Sequence, residues 1–168
     1  WKTPDNVIVP VAGSSLITKI WKAFHEFECL GLLDGKVQSK IFAAQGAHTV
    51  LVARRANVLA EVQSELQEQF KSQVLTVAGD VTVQEDINNI VTTTLDKFGR
   101  IDVLVNNAGI VKGGYLEDKD FDAWQSIIET NLSGTIRMSQ AVLPLMKAQH
   151  SGHIVNVSSI VSFAGTPG

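Results

Sequence analysis

From about residue 43 onward, short apolar runs alternate with longer stretches in which apolar and polar residues are mixed. Four of the short runs are rich in β-branched residues, a pattern typical of strands buried on both faces. These predicted strands cover residues 49–53, 74–78, 101–105 and 154–157.

The stretches between the runs have helical periodicity. Residues 56–70 predict one helix, and residues 121–146 predict a longer one with a break near its middle. Between them, Thr82-x-x-Glu85 predicts a capping box at the start of a helix, and Gly99 predicts the end of that helix. The alternation of strands and helices indicates an α/β fold, a doubly wound, Rossmann-like parallel sheet with helices on both faces.

Polar or small residues follow each predicted strand. In doubly wound sheets, ligands bind beyond the carboxyl ends of the strands. The segments at those ends are Arg54-Arg55, Asp80-Val81, Asn106-Asn107-Ala108-Gly109 and Ser158-Ser159. Because they share one edge of the predicted sheet, we expect them to form one ligand-binding region.

Composition narrows the classes of protein that fit. The chain has 168 residues, of which 45% are hydrophobic and 18% charged, and a formal net charge of −3, as in a globular protein of one domain. Its basic residues are scattered, so no nucleic-acid partner is predicted. A single cysteine, Cys29, excludes an internal disulfide and favours an intracellular, cytoplasmic location. His150 and His153 have no further ligands nearby in sequence, so no metal site is predicted.

Residues 1–31 are left unassigned. Within them, residues 16–30 have the periodicity of an amphipathic helix. Packing of this helix on its own domain is the favoured interpretation. Peripheral contact with a membrane surface is an open alternative.

Four motifs in register resemble the short-chain dehydrogenase/reductase family over residues 32–168. The most specific is Asn106-Asn107-Ala108-Gly109 after an Ile-Asp-Val-Leu-Val strand. The others are Asp80-Val81, Asn131 within Thr-Asn-Leu-Ser-Gly, and Asn-Val-Ser-Ser at residues 156–159. The resemblance implies a dinucleotide-binding domain, here incomplete.

The resemblance also implies cofactor-binding residues. The turn at Asn107, Ala108 and Gly109 would let a cofactor ribose lie against the main chain, since small residues permit close approach. Asp80 would accept a hydrogen bond from the adenine amino group, and the Val81 amide would meet a ring nitrogen.

The residues that follow the predicted strand at 49–53 indicate which cofactor is preferred. An NAD enzyme of the family would place a carboxylate there for the ribose 2′-hydroxyl. Here Ala53 is followed by Arg54 and Arg55, whose guanidinium groups suit a 2′-phosphate. The resemblance therefore favours NADP(H) over NAD(H).

Asn131 and Ser159 match two of the family's four catalytic residues. In the family's mechanism, a tyrosinate exchanges a proton with the substrate, and a lysine lowers the pKa of that tyrosine. The serine holds the substrate oxygen, and the asparagine anchors a relay water. The Tyr-x-x-x-Lys pair is expected a few residues beyond Gly168, and the spacing of Tyr115 and Lys119 is interpreted as coincidence.

The glycine-rich loop of the family is also missing from its expected place. Residues 33–37 and 41–47 resemble its flanks, but only Gln38-Ser39-Lys40 joins them. Residues 7–15 are a weak substitute for the lost strand and loop, because they contain one glycine and Pro10 would remove a ladder hydrogen bond. The expectation is a fragment or a defective gene product that has lost its first strand and is poorly soluble.

The preferred hypothesis is a fragment of an NADP(H)-dependent oxidoreductase that interconverts a small-molecule carbonyl and a secondary alcohol by hydride transfer, inactive as written. The alternative is a non-catalytic interaction or scaffold protein of the same descent. A nucleotide-sugar-modifying enzyme of related fold is a weaker third, against which the Asn-Asn-Ala-Gly turn counts. Intact relatives are expected to form homo-oligomers through the long helix.

Overall fold

A computed structural model of the protein describes residues 6–10, 42–70, 73–112, 115–118 and 120–158. Its five strands form one sheet in the order β3-β2-β1-β4-β5, and every neighbouring pair is parallel. The strands are β1 (Asn6–Pro10), β2 (His48–Ala53), β3 (Val74–Ala78), β4 (Val103–Asn106) and β5 (His153–Asn156). This order confirms the doubly wound, Rossmann-like α/β fold.

Helices connect the later strands. α1 (Ala56–Gln69) follows β2, and α2 (Gln84–Phe98) follows β3. A 3₁₀ turn (Leu116–Asp118) precedes one long helical rod, which consists of α3 (Phe121–Ile128), a π-helical turn (Glu129–Ser133) and α4 (Gly134–Ala148). The break predicted near the middle of the rod is therefore a π turn.

The core lies on both faces of the sheet because side chains alternate along each strand. Val50 and Val52 of β2 pack with residues of α2 and α4, whereas Leu51 points to the face that α1 covers. The residues that α2 and α4 contribute to the first face are Ile87, Ile90, Met138, Val142 and Met146.

The expectation that the first strand is lost is wrong. Asn6–Pro10 occupies the centre of the sheet and pairs with β2 over its whole length. Its apolar, β-branched sequence suits a central strand. Pro10 is tolerated because it is the last residue of β1 and lies beyond the two residue pairs that join β1 to β4.

The predicted capping box at the start of α2 is also wrong. The helix begins at Gln84 with Val83 as its N-cap, and the Val83 side chain makes no capping hydrogen bond. The Thr82 hydroxyl donates instead to Asp80 Oδ1 over 2.8 Å. The Asp80 carboxylate thus competes with the backbone amides of the helix for the Thr82 side chain, which is common at helix starts. The predicted end is confirmed: Gly99 has a left-handed φ of 74°, and its amide bonds the Leu95 carbonyl.

Residues 11–41 lie outside the described residues, and with them the amphipathic helix predicted at 16–30, Cys29 and the junction at residues 38–40. Within the described ranges, no helix is both long enough and apolar enough to cross a membrane.

Candidate functional site

The carboxyl ends of β2 and β3 bring two of the predicted site residues together. Arg54 Nη1 lies 3.7 Å from Asp80 Oδ2. Just before Asp80, the Gly79 amide donates to the Ala53 carbonyl over 3.0 Å, which extends the parallel ladder one residue past the end of β3. The side chain of Arg54 is 70% exposed and that of Asp80 is 27% exposed, so the pair faces solvent at the predicted edge.

The Asp80 carboxylate has one oxygen committed to the local chain. Asp80 Oδ1 accepts bonds from the Thr82 amide at 2.9 Å and the Thr82 hydroxyl at 2.8 Å. The backbone amide of Asp80 donates in turn to Asp86 Oδ2 over 2.7 Å. These bonds fix the turn after β3 and leave Oδ2 as the oxygen directed toward Arg54.

Two glycines let helices approach this turn. A Cβ at Gly79 would lie 3.2 Å from Ile90 Cδ1, and a Cβ at Gly134 would lie 2.8 Å from Val81 Cγ2. The Val81 side chain is therefore buried against the start of α4, and the turn that carries its backbone amide is held at the edge.

Asn106, at the end of β4, is buried at the centre of a polar cluster that the sequence interpretation missed. Its Nδ2 donates to Asn156 Oδ1 over 2.8 Å and to Ser139 Oγ over 3.0 Å. The Ser139 hydroxyl donates in turn to the Thr135 carbonyl over 2.7 Å. Because a buried amide without partners is unfavourable, this cluster aligns the ends of β4 and β5 with α4.

Solvent exposure increases along the remaining residues of the Asn-Asn-Ala-Gly turn. Asn107 is buried, Ala108 is half-buried against the core, and Gly109 is exposed. A Cβ at Gly109 would lie 3.5 Å from Asn131 Oδ1, an ordinary contact. The turn therefore lies beside Asn131.

Asn131 lies within the π turn and reaches back to the segment after Gly109. Its Oδ1 accepts from the Ile110 amide at 2.8 Å, and its Nδ2 donates to the Ile110 carbonyl over 2.9 Å. Asparagine is a poor helix-interior residue, and π turns recur at functional sites because they redirect a side chain. Each of its polar atoms has capacity for one further bond.

Arg137 of α4 joins two parts of the site and was also missed. Its Nη1 donates to the Thr82 carbonyl over 2.9 Å and lies 2.5 Å from Glu129 Oε1. Hydrogen bonds from Arg137 and Ser133 hold the pKa of Glu129 below its ordinary value of 4.5. An arginine mid-helix gives no local signal of this role, since Thr82 is distant from it in sequence.

The other candidate residues lie at the surface or outside the described part of the chain. Ser158 is exposed after β5, whereas Ser159 lies outside the described residues. Tyr115 is exposed, and Lys119 is likewise outside the described part. His150 and His153 are both exposed, and across the described ranges no three histidine, cysteine or acidic side chains are grouped to hold a metal ion.

Comparison with known proteins identifies the ancestry. Residues 35–168 match the family model for short chain dehydrogenase. The chain belongs to the short-chain dehydrogenase family. An uncharacterized oxidoreductase of Staphylococcus saprophyticus is 40% identical over 128 residues, which cover 76% of this chain and 55% of that protein. The 3-oxoacyl-[acyl-carrier-protein] reductase of Synechocystis is 36% identical over 134 residues, 80% of this chain and 54% of that protein.

Solved structures superimpose on the fold. L-Sorbose reductase of Gluconobacter frateurii, in complex with NADPH and L-sorbose, has a TM-score of 0.79 at 28% identity, covering 95% of this chain and 54% of that one. Levodione reductase has a TM-score of 0.81 at 28% identity, covering 98% and 58%. The chain thus spans about half the length of the relatives it matches. The predicted family is confirmed.

Proposed function

We propose that this chain carries the adenosine end of an NADP(H) site, in an oxidoreductase that interconverts a carbonyl and a secondary alcohol by hydride transfer. The observation that supports this most directly is the pairing of Arg54 with Asp80 at 3.7 Å on the carboxyl edge of the sheet. In NADP(H), the 2′-phosphate and the adenine ring are attached to the same ribose. Groups suited to each therefore have to be neighbours, as these two are.

The charges at the end of β2 and the start of α1 support the preference for the phosphorylated cofactor. β2 ends at Ala53, which offers no carboxylate to a ribose 2′-hydroxyl and none to repel a 2′-phosphate. Arg55 is the N-cap of α1, its side chain makes no capping hydrogen bond, and the first turn of the helix holds no acidic residue. Two guanidinium groups beside the positive end of a helix dipole favour an anion.

The catalytic part of the proposal concerns Asn131 and Ser159. When bound, a nicotinamide supplies or accepts the hydride. Asn131 would hold a relay water, and Ser159 would hold the substrate oxygen. The 168 residues contain no Tyr-x-x-x-Lys after Ser159, so no side chain of that pair is present to exchange the proton. We therefore expect nucleotide binding without turnover in the 168-residue polypeptide.

Binding is tested by titrating the chain with NADPH and NADH, and with adenosine 2′,5′-bisphosphate and AMP. We expect the 2′-phosphorylated member of each pair to bind at least about tenfold more tightly, a difference of about 1.4 kcal/mol. Arg54→Met and Arg55→Met should reduce this preference and leave NADH and AMP affinity nearly unchanged. Lys97→Met, which removes a cation from the last turn of α2, is the matched control.

Equal affinity for both members of each pair would overturn the NADP(H) assignment. Absence of any binding would overturn the proposal that this polypeptide holds the adenosine end. Hydride transfer by the isolated chain would contradict the expected lack of turnover.

Exposed apolar residues along the helical rod favour self-association of the chain, which is compatible with the catalytic proposal and with a non-catalytic interaction role. Phe121 is 74% exposed, Ile128 54% and Leu132 57%, and Ile136 and Leu143 continue the row at helical spacing. A second copy of the chain is the expected occupant, because relatives are expected to pair through this helix. Leu132→Glu and Ile136→Glu should then convert a dimer into a monomer in sedimentation, whereas Val111→Glu, exposed but off the rod, should not.

A further inference from the structure

We propose that Arg137 is a positioning residue that couples the adenosine end of the site to the Asn131 turn. The identity of the ligand in this inference, a nucleotide, rests on the proposed function. The hydrogen bonds that provide the coupling are present in the chain without a ligand. Arg137 lies on α4, and its two partners belong to different functional segments. Nucleotide binding beside Asp80 is therefore transmitted to the hydrogen bonds between Asn131 and Ile110.

The first half of the link is the Thr82 residue. Asp80 Oδ1 holds the amide and hydroxyl of Thr82, and Arg137 Nη1 holds its carbonyl. All three polar groups of Thr82 are thus fixed, and the bond from Arg137 is the one among them that comes from a distant element. Any movement of the Asp80 carboxylate toward a bound nucleotide pulls on Thr82 and through it on the guanidinium.

The second half is Glu129, the first residue of the π turn. Its Oε1 lies 2.5 Å from Arg137 Nη1, the same nitrogen that bonds Thr82. Glu129 and Asn131 share the π turn, which is one short stretch of backbone. A change at the guanidinium therefore reaches Asn131 and the two bonds it makes to Ile110.

Packing alone does not provide this link. Val81 and Gly134 touch beside it, and that contact fixes how closely α4 approaches the turn. An apolar contact limits distance but is non-directional, whereas a charged hydrogen bond also fixes orientation. Arg137 therefore sets the orientation of the turn relative to α4.

Two amide protons report on the two ends without any ligand. The Thr82 amide donates to Asp80 Oδ1 and the Ile110 amide donates to Asn131 Oδ1. In Arg137→Met, hydrogen exchange at both should accelerate about tenfold through local opening, while exchange at the core amide of Leu104 changes only with global stability. Arg137→Lys keeps the charge with a shorter reach and should restore part of the protection. Lys147→Met, exposed on the same helix, is the control.

The second measurement adds adenosine 2′,5′-bisphosphate. In the unaltered chain, protection should rise at Thr82 and at Ile110. In Arg137→Met, the rise should persist at Thr82 and vanish at Ile110. If the nucleotide fails to bind the unaltered chain, the proposed function fails, and the ligand-free comparison still decides the coupling. Unchanged exchange at Ile110 in Arg137→Met, or a loss matched at Leu104, would overturn it.

Discussion

Asn131 and Ile110 are joined by a reciprocal pair of hydrogen bonds, with the Ile110 amide donating over 2.8 Å and its carbonyl accepting over 2.9 Å. Asn131→Ala removes both bonds and should lower the free energy of unfolding by about 1–2 kcal/mol. Asn131→Asp keeps the acceptor and loses the donor, so its effect should be about half as large. Urea denaturation of the three proteins measures this. Equal stability of all three would mean that solvent replaces the pair without loss.

Gly134 determines how closely α4 approaches the Asp80-Val81 turn. In Gly134→Ala, the new Cβ would lie 2.8 Å from Val81 Cγ2 and 3.3 Å from the Val81 carbonyl oxygen. Neither atom is the end of a flexible side chain, so the helix or the turn has to shift. The overpacking should destabilise the fold by about 1–3 kcal/mol and outweigh the gain of about 1 kcal/mol in helix propensity. Thermal melts compare it with Gln140→Ala, which is exposed on the same helix and should be neutral or slightly stabilising.

The lowered pKa of Glu129 predicts that the free energy of unfolding decreases at acidic pH. Its pKa is lowered in the fold by the hydrogen bonds from Arg137 and Ser133, so the folded state favours the carboxylate. The stabilisation is present above the ordinary pKa of 4.5 and is lost as pH falls through the lower folded value. Unfolding curves between about pH 6 and pH 3 should show a shallower loss of stability in Glu129→Gln than in the parent. Parallel curves would contradict the assignment.

The Asn106 cluster predicts an energetic coupling between two elements. Asn106→Ala leaves Asn156 and Ser139 without their shared donor in a partly buried place, and should destabilise by about 2 kcal/mol. Ser139→Ala should destabilise by about 1 kcal/mol, because Asn156 still receives its bond. The double variant should be less destabilised than the sum of the two. Additivity within error would show that the 3.0 Å contact between Asn106 and Ser139 contributes nothing.

The strands and helices could be predicted from the sequence because burial determines the order of apolar and polar residues within each element. Strands buried on both faces are continuous apolar runs, and helices buried on one face repeat apolar residues at helical spacing. Residues 74–78 match β3 residue for residue, and the other predicted strands differ from the observed ones by two residues or fewer at each end. Two local features of the sequence argue against the first strand, the single glycine in residues 7–15 and Pro10. The second does not apply in the fold, because the last residue of a strand need not donate a ladder hydrogen bond.

The polar contacts of the site were less accessible to sequence reasoning. The Thr82 hydroxyl donates to Asp80 Oδ1 and does not cap the helix as expected. Both partners are local, and composition does not decide between them. The bond from Arg137 to the Thr82 carbonyl joins elements far apart in sequence and exists only once α4 packs beside the turn. Motif resemblance predicts Asp80 and Asn131 as site residues, but it does not predict the side chains that hold them in place.

The long rod contributes Asn131 to the candidate site and the apolar face of α4 to the core, and the π turn lies between α3 and α4. A π turn accommodates one extra residue in a helix without rotating the helical residues on its C-terminal side. Met138 and Val142 therefore stay in phase with the core whether or not that residue is present. Deleting Leu132 should leave a regular helix and a cooperative melt, while Asn131 no longer reaches Ile110. A one-residue deletion at this turn should therefore alter the surroundings of Asn131 and spare the packing of α4 in the core.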